Sequence, residues 1–444
     1  MSFKLRFAPS PTGPLHVGNA RTALVNFLYA KSNNGSLLLR IDDTDSERSK
    51  KEYEESIKND LSWLGIHWDL IDRQSSRLEN YSKAIKTLEE MGRAYRCYET
   101  PEELSLKRKS QLMSGRPPVY DRQALKLTDK DHLNFEKMGK KAHWRFKLIH
   151  EDVSWKDLVR GDCNYHMSSL SDPVIMREDG KPIYTLASVI DDIDHEITHI
   201  IRGEDHVTNS AAQIQLFEAL GKNPPILGHL SLLSGSEGEG LSKRIGSLSL
   251  GSLKEKNIEN ISLVSLLSSI GTSESIASLT NMPSIIEKFD IKKFSRNTAK
   301  FGIQELYQIN QKILQNYNFV EVEEKLKKIE PNVSEEFWNN VKGNIDTIEE
   351  VKIWINVAYG EIIPINEDKS LMKIALKLFP EKIDNFTWRE WTKAISDSSG
   401  VKGKKLFLSL RQALTGHASG PELANLLPII GREKIVSRLR GEKS

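Results

Sequence analysis

The sequence predicts a doubly wound parallel α/β unit, interrupted by an α/β insertion and followed by an all-α second half. Three observations carry this: a strand, helix, strand, helix order up to Leu64, a Lys/Arg-rich stretch of mixed period, and helical periodicity from about Leu248 onward. A chain of 444 residues is too long for one core, and at ~150 residues per domain about three units are expected.

Lys4 to Ala8 reads as a short buried strand. A Pro/Gly-punctuated loop and a helix through Ala23, Leu24, Phe27, Leu28 and Ala30 follow it. Asn33-Asn34-Gly35 is a helix stop, and Ser36 to Ile41 is the near-continuous apolar run of a strand covered on both faces. After Asp42-Asp43-Thr44-Asp45, Tyr53, Ile57, Leu61 and Leu64 share one helical face, closing a βαβα order. Residues 92–182 read as an insertion, and the sheet is expected to resume at Ile183 to Ala187 and at His199 to Arg202. Helical segments such as Ile261 to Ile270 and Ile353 to Ala358 come next, with a boundary expected near Asn310 to Tyr317.

Composition narrows the function only by exclusion. With 38% hydrophobic and 28% charged residues the chain is an ordinary globular protein, and a net charge of +2 announces no nucleic-acid partner. From Val401 to Ser444, nine Lys/Arg face three Glu; that end is either a phosphate contact or a solvated basic face. Two cysteines, Cys97 and Cys163, exclude a disulfide framework. There is no apolar signal core and no run near the ~20 apolar residues of a membrane span, so the cytoplasm is expected and no membrane partner.

Two loops carry chemistry. Gly13-Pro14 before an apolar helix suggests a helix start with Pro as first residue and His16 in the first turn. Free N–H groups and the positive dipole end suit an anion there, an imidazole adds a donor, and Gly18 leaves a face open to a flat base. The bland alternative is a turn with a surface histidine. Gly240-Leu-Ser242-Lys243-Arg244 places two cations on a Gly/Ser-rich loop able to close over a triphosphate, or simply a solvated pair.

Together the loops resemble the two signature motifs of class I aminoacyl-tRNA synthetases: "HIGH" as His16-Val17-Gly18-Asn19 and "KMSKS" as Gly240 to Arg244. Arg6 to Gly13 and Arg40 to Asp45 resemble the bacterial-type glutamyl-tRNA synthetases, whose glutaminyl relatives carry Glu and Asn in place of Ser10 and Thr12. Similar stretches at Gly180 to Asp192, Ile201 to His206 and Leu410 to Gly416 extend the likeness across the chain.

The resemblance implies a Rossmann-type catalytic domain at 1–91 and 183–247 and an acceptor-stem-binding insertion at 92–182. A helical stem-contact domain at 248–316 and an α-helical anticodon-binding domain at 317–444 complete it. It implies ATP held by Pro9, Ser10, Thr12, Gly13, His16, Gly18, Asn19, Ser242 and Lys243, with Mg²⁺ on the phosphates. His16, Lys243 and Arg244 are its catalytic residues. L-glutamate is expected on Arg6, Ser10, Asp42, Tyr184, Ser188 and Arg202, since two carboxylates call for planar cations and neutral donors.

Asp42 stands where relatives carry a longer Glu that meets the α-ammonium, Ser188 where they carry Asn, and Asp42 to Asp45 also read as a turn and helix cap. Some relatives hold structural zinc in the insertion. Here Cys97 is accompanied by Glu99 and Ala124, so no zinc is expected. The partners implied are tRNA-Glu and, because Asn344 aligns with the arginine that rejects it, tRNA-Gln; a monomer is expected. Rival readings are a shorter tRNA-modifying glutamyl transferase, a tRNA-independent nucleotidyltransferase of the His-x-Gly type, and a noncatalytic RNA-binding module.

Overall fold

The computed structural model describes residues 3–235, 238, 248–274, 279, 281–384 and 386–444. β1 (Lys4–Phe7), α1 (Val17–Ser32), β2 (Ser36–Ile41), α2 (Lys51–Trp63) and β3 (Leu70–Arg73) open the chain, and α3 (Leu78–Glu90) follows. β1 pairs with β2 and β2 with β3, both in parallel. Parallel strands with a helix between them bury both faces, which is why β2 is apolar almost throughout. The turn into β2 is tighter than a plain helix stop. Asn34 takes the left-handed conformation at φ 53, and a Cβ on Gly35 would lie 2.4 Å from the Phe3 carbonyl oxygen. Only glycine fits there.

β4 (Ala94–Cys97), α4 (Pro101–Met113), α5 (Asp129–Lys137), β5 (His143–Phe146), β6 (Asp152–Asp157), β7 (Gly161–His166) and β8 (Val174–Met176) form the insertion. β4, β5 and β8 make one antiparallel sheet, and β6 and β7 form a hairpin. α4 and α5 bury no residue and each begins with a reciprocal capping box, Thr100 with Glu103 and Thr128 with Asp131.

After the insertion, Tyr184–Asp194 is a helix, α6, and not the strand expected at Ile183 to Ala187. Leu186, Val189 and Ile190 recur at helical spacing and are buried on one face, which a five-residue window does not reveal. β9 (His199–Gly203) lies where a strand was expected, and α7 (Val207–Ala219) and β10 (Ile226–Leu230) follow. β9 and β10 pair in parallel. β9 lies beside β1, where the Thr198 N–H donates to the Lys4 carbonyl at 2.9 Å. The strands therefore run β3-β2-β1-β9-β10, and their order reverses between β1 and β9. In an open α/β sheet the carboxyl ends at that reversal are where ligands bind.

Residues 254–263 and 303–444 form a second compact unit. Its described elements from Ile303 on are all helical, packed around Phe337, Trp338 and Trp391. Both buried indoles are satisfied: Trp338 donates to the Tyr317 carbonyl at 3.1 Å and Trp391 to that of Ala375 at 2.9 Å. Among the described residues no helix is long and apolar enough to cross a membrane.

Candidate active site

The expected glutamate-binding residues meet at the β1/β9 reversal. Arg6 lies on β1 and Arg202 on β9. Tyr184 and Ser188 come from α6, and Asp42 directly follows β2. The Asp42 N–H donates to the Pro9 carbonyl at 3.0 Å, which ties the loop after β1 to the end of β2. Ser10 and Thr12 are exposed on that loop, and a Cβ on Gly13 would meet open space.

The arginines are held in different ways. Arg6 Nε lies 3.2 Å from Asp192 Oδ1. Burial lowers the Arg6 guanidinium and Asp192 opposes that effect. Arg40 holds Asp42 through Nε at 2.7 Å and Nη2 at 3.2 Å, and reaches Asp192 through Nη1 at 2.8 Å. Burial pulls Arg40 down, but Asp42, Asp192 and Asp191 outweigh it and hold the group well above its ordinary value. Burial pushes the Asp42 carboxyl up to about 6 even against Arg40, so the pair is ionised at neutral pH. Arg202, by contrast, meets only uncharged acceptors: Tyr184 Oη, Ser210 Oγ and Gln213 Oε1, each at 2.7 Å.

Sequence reasoning missed Arg40, Asp191 and Asp192, and it missed Ser210 and Gln213. The one available signal was Asp191-Asp192 inside an otherwise apolar helical run, since buried acids demand cationic partners.

The first motif departs from expectation. α1 starts at Val17, so Pro14 is not its first residue; His16 is the N-cap, its Nδ1 accepting from the N–H groups of Gly18 at 3.0 Å and Asn19 at 3.4 Å. Two N–H groups expected to be free for an anion are thus taken by the imidazole. Burial lowers the His16 pKa. A neutral ring that accepts at Nδ1 carries its proton on Nε2, so the histidine offers an outward donor in exchange.

Ser242, Lys243 and Arg244 lie outside the described residues. The chain beyond them is fixed to the first motif: Val17 donates to the Leu248 carbonyl at 3.2 Å and Leu250 to that of Leu15 at 3.0 Å. In the helical unit, Asn344 is exposed at the end of a short turn, Lys342–Asn344. A cavity of about 480 Å³ in the same unit is lined by Trp388, Phe407, Lys404, Arg411 and Leu423.

In the insertion Cys97 does not stand alone. His143 joins Cys97 and Glu99, with one potential ligand atom from each within 4.8 Å of the others. His143 Nε2 and Glu99 Oε2 are buried without a hydrogen-bond partner. The surrounding chemistry fits zinc poorly, however. Burial pushes the Cys97 thiol up to about 12, and Arg145 acts on both Cys97 and His143. Glu99 already accepts from Tyr120 at 2.7 Å and pairs with Lys107 at 3.5 Å. Three donors beside two cations are not a four-ligand thiolate-rich site.

Residues 2–308 match the family model for the catalytic domain of class I tRNA synthetases (E and Q), and residues 323–442 match the anticodon binding domain. The fold and the paired motifs thus define a class I tRNA synthetase, an ATP-using enzyme. A glutamate–tRNA ligase 1 of Maricaulis maris is 48% identical over 99% of both chains, and a glutamate–tRNA ligase of Azospirillum brasilense is 48% identical over 100% of both. A glutamate tRNA ligase of Elizabethkingia meningosepticum, crystallised with its amino acid, superposes with a TM-score of 0.87 at 26% identity over 99% of each chain. The chain belongs to the glutamate–tRNA ligase family.

Proposed function

We propose that this chain joins the L-glutamate α-carboxylate to the ATP α-phosphorus, releasing diphosphate, and then passes the glutamyl group to the terminal ribose of tRNA-Glu. The supporting observation is the pair of buried arginines, Arg6 and Arg202, on adjacent strands where the strand order reverses. Two planar cations suit a substrate with two carboxylates. Asp42 is the acceptor for its ammonium, the Ser10 and Tyr184 hydroxyls are donors, and Ser188 completes the pocket. ATP lies along Pro9 to Asn19, its phosphates accompanied by Mg²⁺. His16 Nε2–H, Lys243 and Arg244 stabilise charge on the departing diphosphate. No side-chain nucleophile is needed, because positioning and charge stabilisation carry the step.

The division into catalytic, acceptor-stem, stem-contact and anticodon domains is part of this reading, as are a cytoplasmic monomer and a chain without zinc. In the helical unit, Trp388 and Phe407, 6.0 Å apart between ring centroids, offer faces on which an anticodon base stacks beside Lys404 and Arg411. Asn344 is neutral and exposed, which favours a relaxed choice between tRNA-Glu and tRNA-Gln. Aminoacylation of separately transcribed tRNA-Glu and tRNA-Gln tests both levels. Glutamate on both tRNAs is the expected result, rejection of tRNA-Gln removes the relaxed choice, and no charging of either removes the ligase reading.

A further inference from the structure

Arg202 has five N–H donors. Nη2 spends both of its own on Ser210 Oγ and Gln213 Oε1, each at 2.7 Å. Nε faces His229 Nε2 at 3.4 Å, and Nη1 gives one donor to Tyr184 Oη at 2.7 Å. One Nη1 donor is left over. Among the described residues no carboxylate lies within ion-pair distance of this buried guanidinium.

Its acceptors are oriented by groups behind them. Ser188 Oγ donates to the Tyr184 carbonyl at 2.7 Å, so it must accept from Gln213 Nε2 at 2.7 Å, and that turns Gln213 Oε1 toward Arg202. Asp157 Oδ2 sits 2.5 Å from His229 Nδ1, which fixes the ring proton there and leaves Nε2 bare, 2.8 Å from Ser210 Oγ. His229, Ser188, Ser210 and Gln213 are all at least nine-tenths buried.

We propose that Gln213, held by Ser188 and flanked by the His229–Asp157 pair, is a specificity-determining residue: it cradles Arg202 without neutralising it, so that the pocket prefers the anionic glutamate side chain to the neutral glutamine one. This rests on the reading that Arg202 holds a substrate carboxylate. A carboxylate at position 213 would occupy the guanidinium in advance, whereas an apolar side chain of similar length would remove the hydrogen bond but leave the charge free.

The test compares Gln213→Glu with Gln213→Met in the full chain. For each variant the KM for L-glutamate in tRNA aminoacylation and the inhibition constant of L-glutamine are measured, with thermal unfolding as the folding control. Gln213→Glu is expected to lower the preference for glutamate over glutamine about tenfold or more, and Gln213→Met to change it less than about threefold. Equal changes in both ligands in both variants, the pattern of a packing role, overturn the proposal. Arg202→Gln separates the two failures: an unchanged KM for glutamate there removes the underlying reading of the site.

Discussion

Asp157→Asn keeps the shape of a buried side chain and removes its charge. In the native chain Asp157 Oδ1 accepts from the N–H groups of Val159, Arg160 and His229, each at 3.0 Å, and Oδ2 accepts from the His229 ring at 2.5 Å. Burial pushes the carboxyl up, but these donors, the His229 ring foremost, outweigh it and hold it at about 2 against the ordinary 3.8. That depression is equivalent to about 2.4 kcal/mol at neutral pH. The folded value is the lower one, so the stability is present above about pH 3.8 and is lost as pH falls toward 2. At about 2 °C per kcal/mol for a unit of this size, the variant should unfold about 5 °C earlier.

The amide also reverses the ring. Its NH₂ faces His229 Nδ1, which must then accept, and the ring proton moves to Nε2 opposite the Arg202 Nε–H, 3.4 Å away. Two donors meet, Arg202 loses an acceptor, and the KM for glutamate should rise about tenfold. Thermal unfolding by circular dichroism at pH 7 and aminoacylation at varied glutamate measure the two effects. An earlier melt with an unchanged KM refutes the tautomer argument, and an unchanged melt refutes the assigned charge contribution.

His16→Asn retains an N-cap acceptor but loses the outward Nε2–H; kcat/KM in diphosphate exchange with tRNA-Glu present should fall about 10²-fold, or about 2.7 kcal/mol, with little change in Tm. Full activity would count against His16 as a transition-state donor. Burial is the largest cause holding His16, His143, His199, His206 and His229 below the ordinary 6.5. The unfolded chain therefore binds more protons at these five sites, and their contribution to stability falls as pH drops below about 6.5, opposed by the raised carboxyl of Asp42. The urea midpoint should be lower at pH 5.5 than at pH 7.5, and a higher one would reverse the sign. Finally, protein purified without chelators should carry less than about 0.1 zinc per chain by mass spectrometry. Stoichiometric zinc would assign Cys97, Glu99 and His143 as ligands despite Arg145 and Lys107.

The parts of the fold legible in the sequence were those with a strong local period. α1 and β2 declare themselves because a strand covered on both faces is apolar almost throughout and a helix repeats on one face, and β1 because Leu5 and Phe7 stand before a Pro/Gly loop. β3 escaped because its Leu70 and Ile71 are exposed, so no burial pattern marks it. α6 was mistaken for a strand because its apolar start, Ile183 to Ala187, is shorter than the window that separates the two periods. Candidate site residues were legible where a short motif carries them, in Arg6, His16 and Arg202. Asp157, His229 and Gln213 were illegible because what joins them is the packing of β6, β10 and α7, and no spacing along the chain reports that.

On the proposed reading of Arg6 and Arg202 as the glutamate-binding cations, that packing explains why the pocket would use two arginines differently. L-glutamate, with two carboxylates and one ammonium, enters with a net charge of −1. If both Arg6 and Arg202 faced the pocket unpaired, the empty site would bury two uncompensated charges at a cost of several kcal/mol each. With Asp192 beside Arg6 and Asp42 held by Arg40, the single unbalanced charge resides on Arg202. One unpaired guanidinium matches one net negative charge, whereas glutamine, net neutral, would leave it unpaired. Discrimination then follows from leaving Arg202 charged and poorly solvated in the absence of substrate, and a neutral acceptor shell does this with the fewest buried charges.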